Sequence, residues 1–208
     1  LVGPGIDSKD SSRVREAVNQ AVQAATSGIP LVLDAGAIDF YPEIVAQVPG
    51  GHLSHRAVLT PHAGEAARLL SALGAGGGRG GVTRAEVEAS PAAWAQFLAD
   101  KTQATVLLKG AVTLIASANE TMFSQAGAPP WAGTAGSGDV LAGIVASVLA
   151  QHQARAEQSG HHMSASQVSF AVASAAWVHA MAARNAAGLS LSEEPEAKGL
   201  TALGTPIV

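Results

Sequence analysis

Apolar positions recur along this chain in two rhythms. Short β-rich runs, Leu31-Val32-Leu33, Ala57-Val58-Leu59 and Thr105-Val106-Leu107-Leu108, read as strands. The first follows Pro30 and the second stops at Thr60-Pro61, so both have marked ends. Val112-Thr113-Leu114-Ile115 follows the third run after a short turn, which predicts a hairpin. Elsewhere the spacing is helical. Val14, Val18 and Val22 fall at i, i+4 and i+8 within residues 12–26, with Ser11 or Ser12 as cap and Gly28 past the end. Residues 64–73 start after a proline and end near Gly74. Residues 91–101 begin on Pro91 and carry Trp94, Phe97 and Leu98 on one side. Residues 164–185 form a long Ala-rich run before Gly188.

This alternation predicts an α/β domain with a largely parallel sheet, a class that binds ligands at the carboxyl ends of its strands. The stretch LGAGGGRGGV, residues 73–82, predicts a mobile surface loop, and residues 193–198 another exposed connection. No internal repeat interrupts the pattern. The length, 208 residues, suits one domain over 1–208, and 48% hydrophobic against 13% charged residues supplies a large core. A net charge of −4 gives no general attraction to nucleic acid, and four Phe, three Trp and one Tyr are too scattered for a base-stacking surface. No uninterrupted apolar run reaches the roughly 18 residues of a membrane span. The absence of cysteine excludes disulfides and thiolate chemistry and is compatible with a cytoplasmic location. The opening LVGPGID reads as the end of a strand and a tight turn, which predicts that an N-terminal part is missing.

Chemistry concentrates in WAGTAGSGDVLAGIVASVLA, residues 131–150, where a small-residue loop meets an apolar segment with one charge, Asp139, at the junction. Val140, Leu141, Ile144, Val145, Val148 and Leu149, with alanines on another side, predict a central helix buried on nearly every face. Its dipole would point at whatever lies above the loop. Known loop motifs fail in turn. Gly133 and Gly138 have P-loop spacing, but Asp139-Val140 stands where Lys-Ser/Thr is required. Leu141 replaces the third glycine of a dinucleotide fingerprint, and Ala135 and Asp139 occupy the glycine positions of a nucleophile elbow centred on Ser137. Two readings remain. Asp139 takes a proton from a substrate hydroxyl while loop amides hold the phosphoryl group it attacks, or Asp139 caps its own helix. Lys109 is similarly either a phosphate contact at a strand end, with Gly110 allowing close backbone approach, or a solvated turn lysine.

Four segments together resemble one family. GTAGSGDVLAGIVASVLA is similar to the G-[TS]-x-G-x-G-D segment of ribokinase-like proteins and, more closely, of the ADP- or ATP-dependent NAD(P)H-hydrate dehydratases. VGPGI at residues 2–6, LTPHAGEAARLL at 59–70 and VLLKGAVTLIA at 106–116 match further family motifs, in the family's order. The resemblance implies a three-layer α/β/α ribokinase-like fold. It also implies ADP-dependent dehydration of hydrated NAD(P)H, by phosphorylation of the ring hydroxyl and loss of phosphate. ADP or ATP would be the co-substrate, with Mg2+.

By resemblance Asp139 is the catalytic base and touches substrate, as do Gly5 and His62. Lys109, Gly110, Ala111, Val112, Thr113 and Gly138 contact the nucleotide. Glu65 holds magnesium through water. A homo-oligomer and pairing with an NAD(P)H-hydrate epimerase are also expected. Two departures stand out: Asp7 replaces a family glycine, and Asp34-Ala35-Gly36-Ala37 lacks the second acid of D-A-D-A. An earlier family segment that supplies part of the substrate pocket is absent, whereas GLTALGTPIV resembles the family's end. The rival readings are a small-alcohol kinase of the same fold and a non-catalytic nucleotide-binding subunit. His52, His55 and His62 form no recognised zinc pattern, His161-His162 reads as solvated loop, and His179 reads as a packing residue.

Overall fold

The structure, a computed structural model, describes residues 1–7, 9–77 and 80–189. Gly78 and Arg79 of the glycine-rich loop, the connection at 193–198 and the terminal GLTALGTPIV lie outside the described residues. In chain order the elements are α1 (Ser11–Thr26), β1 (Leu31–Leu33), α2 (Gly36–Asp39), α3 (Tyr41–Val45), β2 (Ala57–Leu59), α4 (Ala63–Ala72), α5 (Arg84–Ala89) and α6 (Pro91–Thr102). After these come β3 (Thr105–Leu108), β4 (Thr113–Ala116), β5 (Phe123–Gln125), a 3-10 turn (Pro130–Gly133), α7 (Ser137–Gln158) and α8 (Ala165–Ala186).

One sheet runs β1-β2-β3-β4-β5. The first three strands are parallel; β4 is antiparallel to β3, and β5 to β4, so only β4 runs against the others. The hairpin expected from the sequence is the β3–β4 pair. Strand pleating sends alternate side chains to opposite faces. Leu31, Leu33, Leu59, Val106 and Leu108 enter the core beneath α1 to α6, while Val32, Val58, Leu107 and Ile115 pack under α7 and α8. Helices thus cover both faces, which is why these strands read as unbroken apolar runs and not as alternation. The three-layer α/β/α architecture is the expected one.

A cap refines the start of α1. Asp10, not Ser11 or Ser12, caps α1: its Oδ1 accepts the amides of Ser12 and Arg13 at 3.1 and 3.2 Å. A carboxylate is the stronger acceptor at a positive helix end. The opening segment behaves as a strand end, since Val2 donates its amide to the Val32 carbonyl at 2.9 Å and forms a parallel bridge with Leu33. Asp7 does tighten the turn that follows: its Oδ1 accepts the Lys9 amide at 2.9 Å. No helix among the described residues is long and apolar enough to cross a membrane.

Tyr41 lies at 2% exposure in the first core, and burial pushes its hydroxyl up to about 12. In the unfolded chain a tyrosine loses its proton near pH 10. Between those values the folded state holds a proton that the unfolded state has released, so stability is whole below about pH 10 and falls as pH rises toward 12. Denaturant unfolding across that window should show the fall, and Tyr41→Phe should abolish its dependence on this group.

Candidate active site at the strand ends

The parallel strands stop along one edge. Asp34 follows β1, Thr60 follows β2 and Lys109 follows β3. Pairing continues one step beyond the strands: Lys109 donates its amide to the Pro61 carbonyl at 2.8 Å, and His62 and Lys109 form a parallel bridge. Three polar residues far apart in sequence therefore converge. Asp34 is only 1% exposed, and its Oδ1 accepts from Lys109 Nζ at 2.7 Å and from Thr60 Oγ1 at 2.7 Å. Its Oδ2 is buried without a partner. A carboxylate at this depth requires a cation, and the largely buried ammonium of Lys109 supplies it. Lys109 is thus a paired site cation, not a solvated turn lysine.

Backbone geometry around Asp34 is tight. A side chain at Gly3 would overlap the Asp34 carbonyl, so only glycine permits that approach. Ala35 sits at φ 48°, a conformation that costs a residue with a Cβ about 1 kcal/mol or more. The same economy of space appears across the cleft. A Cβ added to Gly138 would lie 3.3 Å from Lys109 Nζ, so the start of α7 comes directly against the ammonium.

No side chain caps α7, whose N-cap is Gly136 at φ 86°. By contrast, α1, α4, α5 and α8 are capped by Asp10, His62, Thr83 and Ser164. At α7 the Ser137 amide reaches the Thr134 carbonyl at 3.2 Å and the Val140 amide reaches Gly136 at 3.1 Å. Asp139 lies in the first turn, exposed, and does not cap its own helix. The helix itself departs from expectation. It is not buried on nearly every face: Leu141, Ala142, Val145, Leu149 and Gln153 turn inward, but Val140 is 57% exposed. As an outer-layer helix it packs one stripe on the sheet and α8, so the dipole at its start acts at the surface and not in a sealed interior.

His62 caps α4. Its Nδ1 accepts the amides of Gly64 and Glu65 at 3.0 and 3.2 Å, which places the ring proton on Nε2, 3.5 Å from Glu65 Oε1. Glu65 completes a capping box by accepting the His62 amide at 2.8 Å. Magnesium finds no ready ligand set here. Glu65 is buried and engaged in the cap, and among the described residues no three His, Asp or Glu side chains gather. The residues present make no all-protein cage for magnesium. Gly110, Ala111 and Val112 form the exposed β3–β4 turn beside Lys109, and Thr113 opens β4. Gly5 occupies an exposed turn at φ 77°, with nothing within 4 Å of a notional Cβ.

Two bonds to candidate site residues escape a reading by spacing. Asp34 is legible only as a strand-end acid, and its bond to Lys109 spans 75 residues. His179, read as packing, brings Nε2 to 3.0 Å from Ser137 Oγ across 42 residues.

The chain is similar to known proteins in both sequence and fold. The family model described as NAD(P)H-hydrate dehydratase matches residues 1–195. An ADP-dependent (S)-NAD(P)H-hydrate dehydratase of Xanthomonas campestris pv. campestris is 37% identical over 153 residues, 73% of this chain and 45% of that protein. A bifunctional NAD(P)H-hydrate repair enzyme of Mycobacterium tuberculosis is 35% identical over 150 residues, 72% of this chain and 28% of that protein. An ADP/ATP-dependent NAD(P)H-hydrate dehydratase of Bacillus subtilis, co-crystallized with ATP/Mg2+ and soaked with CoA, matches in structure with a TM-score of 0.62 at 23% identity. That match covers 93% of this chain and 59% of the other. The fold is ribokinase-like. The chain spans less than half the length of the two curated relatives named here. With a family model covering nearly the whole sequence, the chain belongs to the NAD(P)H-hydrate dehydratase family.

Proposed function

We propose that residues 1–208 act as one domain that dehydrates the S-epimer of hydrated NAD(P)H, using ADP as phosphoryl donor. The observation that carries this reading is the juxtaposition of Lys109 with the uncapped start of α7, beside the exposed carboxylate of Asp139. An ammonium and open first-turn amides suit a phosphoryl group, and a carboxylate next to them serves a proton that must be removed.

In the first step Asp139 takes the proton of the ring hydroxyl, and the hydroxyl oxygen attacks the terminal phosphorus of ADP. One P–O bond forms and the bond to AMP breaks. The phosphorylated ring then loses phosphate: the ring nitrogen's lone pair expels it, and loss of a neighbouring C–H proton restores the double bond. The products are AMP, phosphate and NAD(P)H. The protein's part is to orient the groups and stabilise charge at Lys109 and the α7 amides. Any magnesium would travel with the nucleotide phosphates, since the side chains here make no cage for it. His62 Nε2–H and the turn at Gly5 would meet substrate, and residues 109–113 the nucleotide.

A cytoplasmic setting goes with this reading, as it places the enzyme among the cofactors it repairs. So does pairing with an epimerase, given the bifunctional name of the relative from Mycobacterium tuberculosis. The test is to supply hydrated NADH with ADP or ATP and follow the return of reduced-nicotinamide absorbance. Phosphorylation of a vitamin-precursor alcohol without that recovery would identify a kinase instead, and nucleotide binding without either activity a binding subunit.

Gly138→Ala separates site from scaffold. The added methyl crowds Lys109 Nζ, while alanine improves helix propensity by up to about 1 kcal/mol. The expected result is an unchanged or raised melting temperature together with ADP affinity weakened several-fold, read by calorimetry.

A further inference from the structure

We infer that His179 is a positioning residue for the loop at residues 136–139, acting through Ser137. The inference rests on the reading that this loop holds the transferred phosphoryl group. It begins at the start of α7, whose N-cap is Gly136 and which therefore has no side-chain cap. The hydroxyl of Ser137, the first helical residue, lies 3.0 Å from His179 Nε2 on α8. Just before the loop, Thr134 donates its hydroxyl to the Trp131 carbonyl at 3.0 Å.

His179 is not explained as a core residue. The buried stripe of α8 is carried by Val172, Ala175, Ala176 and Ala180, whereas its neighbours Trp177 and Val178 are 55% and 46% exposed. What the ring does at its partly buried position is bond Ser137. Burial holds His179 below the ordinary imidazole range, so it stays neutral near pH 7 and keeps one ring nitrogen to accept from, or donate to, the serine hydroxyl. This contact ties α8 to the first residue of α7, next to Gly138, which meets Lys109. Positional error of about 1 Å in such a loop costs large factors in rate, so one lost hydrogen bond is felt in chemistry before it is felt in folding.

The experiment compares the full chain with His179→Ala, Ser137→Ala, the double variant and His179→Gln. Each is assayed for turnover of hydrated NADH with ADP, for ADP binding and for melting temperature. The expected result is a fall in kcat/KM of about five- to tenfold in either alanine variant, from one lost hydrogen bond. The double variant falls no further than the worse single, because both remove the same bond. His179→Gln, whose amide reaches the Nε2 position, recovers most of the rate, and melting temperatures stay within a few degrees of wild type. Wild-type kcat/KM in His179→Ala, additive losses in the double variant, no recovery with Gln, or a melting drop that accounts for the lost activity would each overturn the inference. A wild-type chain that neither binds ADP nor turns over would overturn the phosphate reading itself, an outcome distinct from an active wild type with indifferent variants.

Discussion

On the proposed function, Asp139→Asn is expected to abolish turnover of hydrated NADH while the protein still binds ADP. General-base catalysis contributes about 10²- to 10⁴-fold, and the substitution keeps size and shape while removing the proton acceptor. Little else depends on this carboxylate. It is exposed in the first turn of α7 and caps nothing there. Its favourable interaction with the helix dipole is about 0.3–1 kcal/mol at such a site. Removing a negative charge beside the phosphates leaves ADP affinity equal or higher. The measurement is recovery of reduced-nicotinamide absorbance in parallel with calorimetric titration of ADP. Activity within a few-fold of wild type would remove Asp139 from the chemistry. Loss of binding and folding together would make it structural.

Asp34→Ala carries the largest expected loss of stability, on the order of 3 kcal/mol, at the lower end of the range for breaking a buried ion pair. The lower end applies because the Lys109 side chain retains 19% exposure and can seek water. Thr60 Oγ1 also loses its short bond to Asp34. The sign of the effect has an internal check. Adding Lys109→Met to Asp34→Ala removes the orphaned charge and should recover part of the stability in denaturant unfolding, although ADP binding stays weak. If Asp34→Ala unfolds at the wild-type denaturant concentration, the pair is not holding the strand ends together. Asp34→Asn should fall between the two, since it keeps the shape and the acceptor for Thr60 but not the charge.

Several features are legible in sequence because they are local. The strands at Leu31, Ala57 and Thr105 and the helix ending at Thr26 lie where apolar spacing puts them. The long helix on Ser164 begins at a Ser-x-x-Gln capping box, an interaction that reaches only three residues along the chain. Short helices were not legible: α2, α3 and α5 have four to six residues, too few for a helical period to emerge. β5, Phe-Ser-Gln, is only half-buried and lacks the apolar run that marks β1 and β2. The burial of α7 was misjudged because apolar residues on all sides of a helix do not state which side meets the sheet.

The site divides along the same line. The glycine loop, Lys109 and His62 stand in motifs that can be read in order. Their meeting depends on parallel pairing of β2 with β3 and on α7 crossing to Lys109, which no local pattern encodes.

The sequence by itself determined the alternation of elements, most of the helix ends and the motif residues, because those follow from contacts within a turn or two of chain. Tertiary structure alone decided that Asp34 neutralises Lys109 and that His179 holds Ser137. Those bonds join residues 75 and 42 positions apart, and only the order of strands and the packing of α7 on α8 bring such partners within hydrogen-bonding distance.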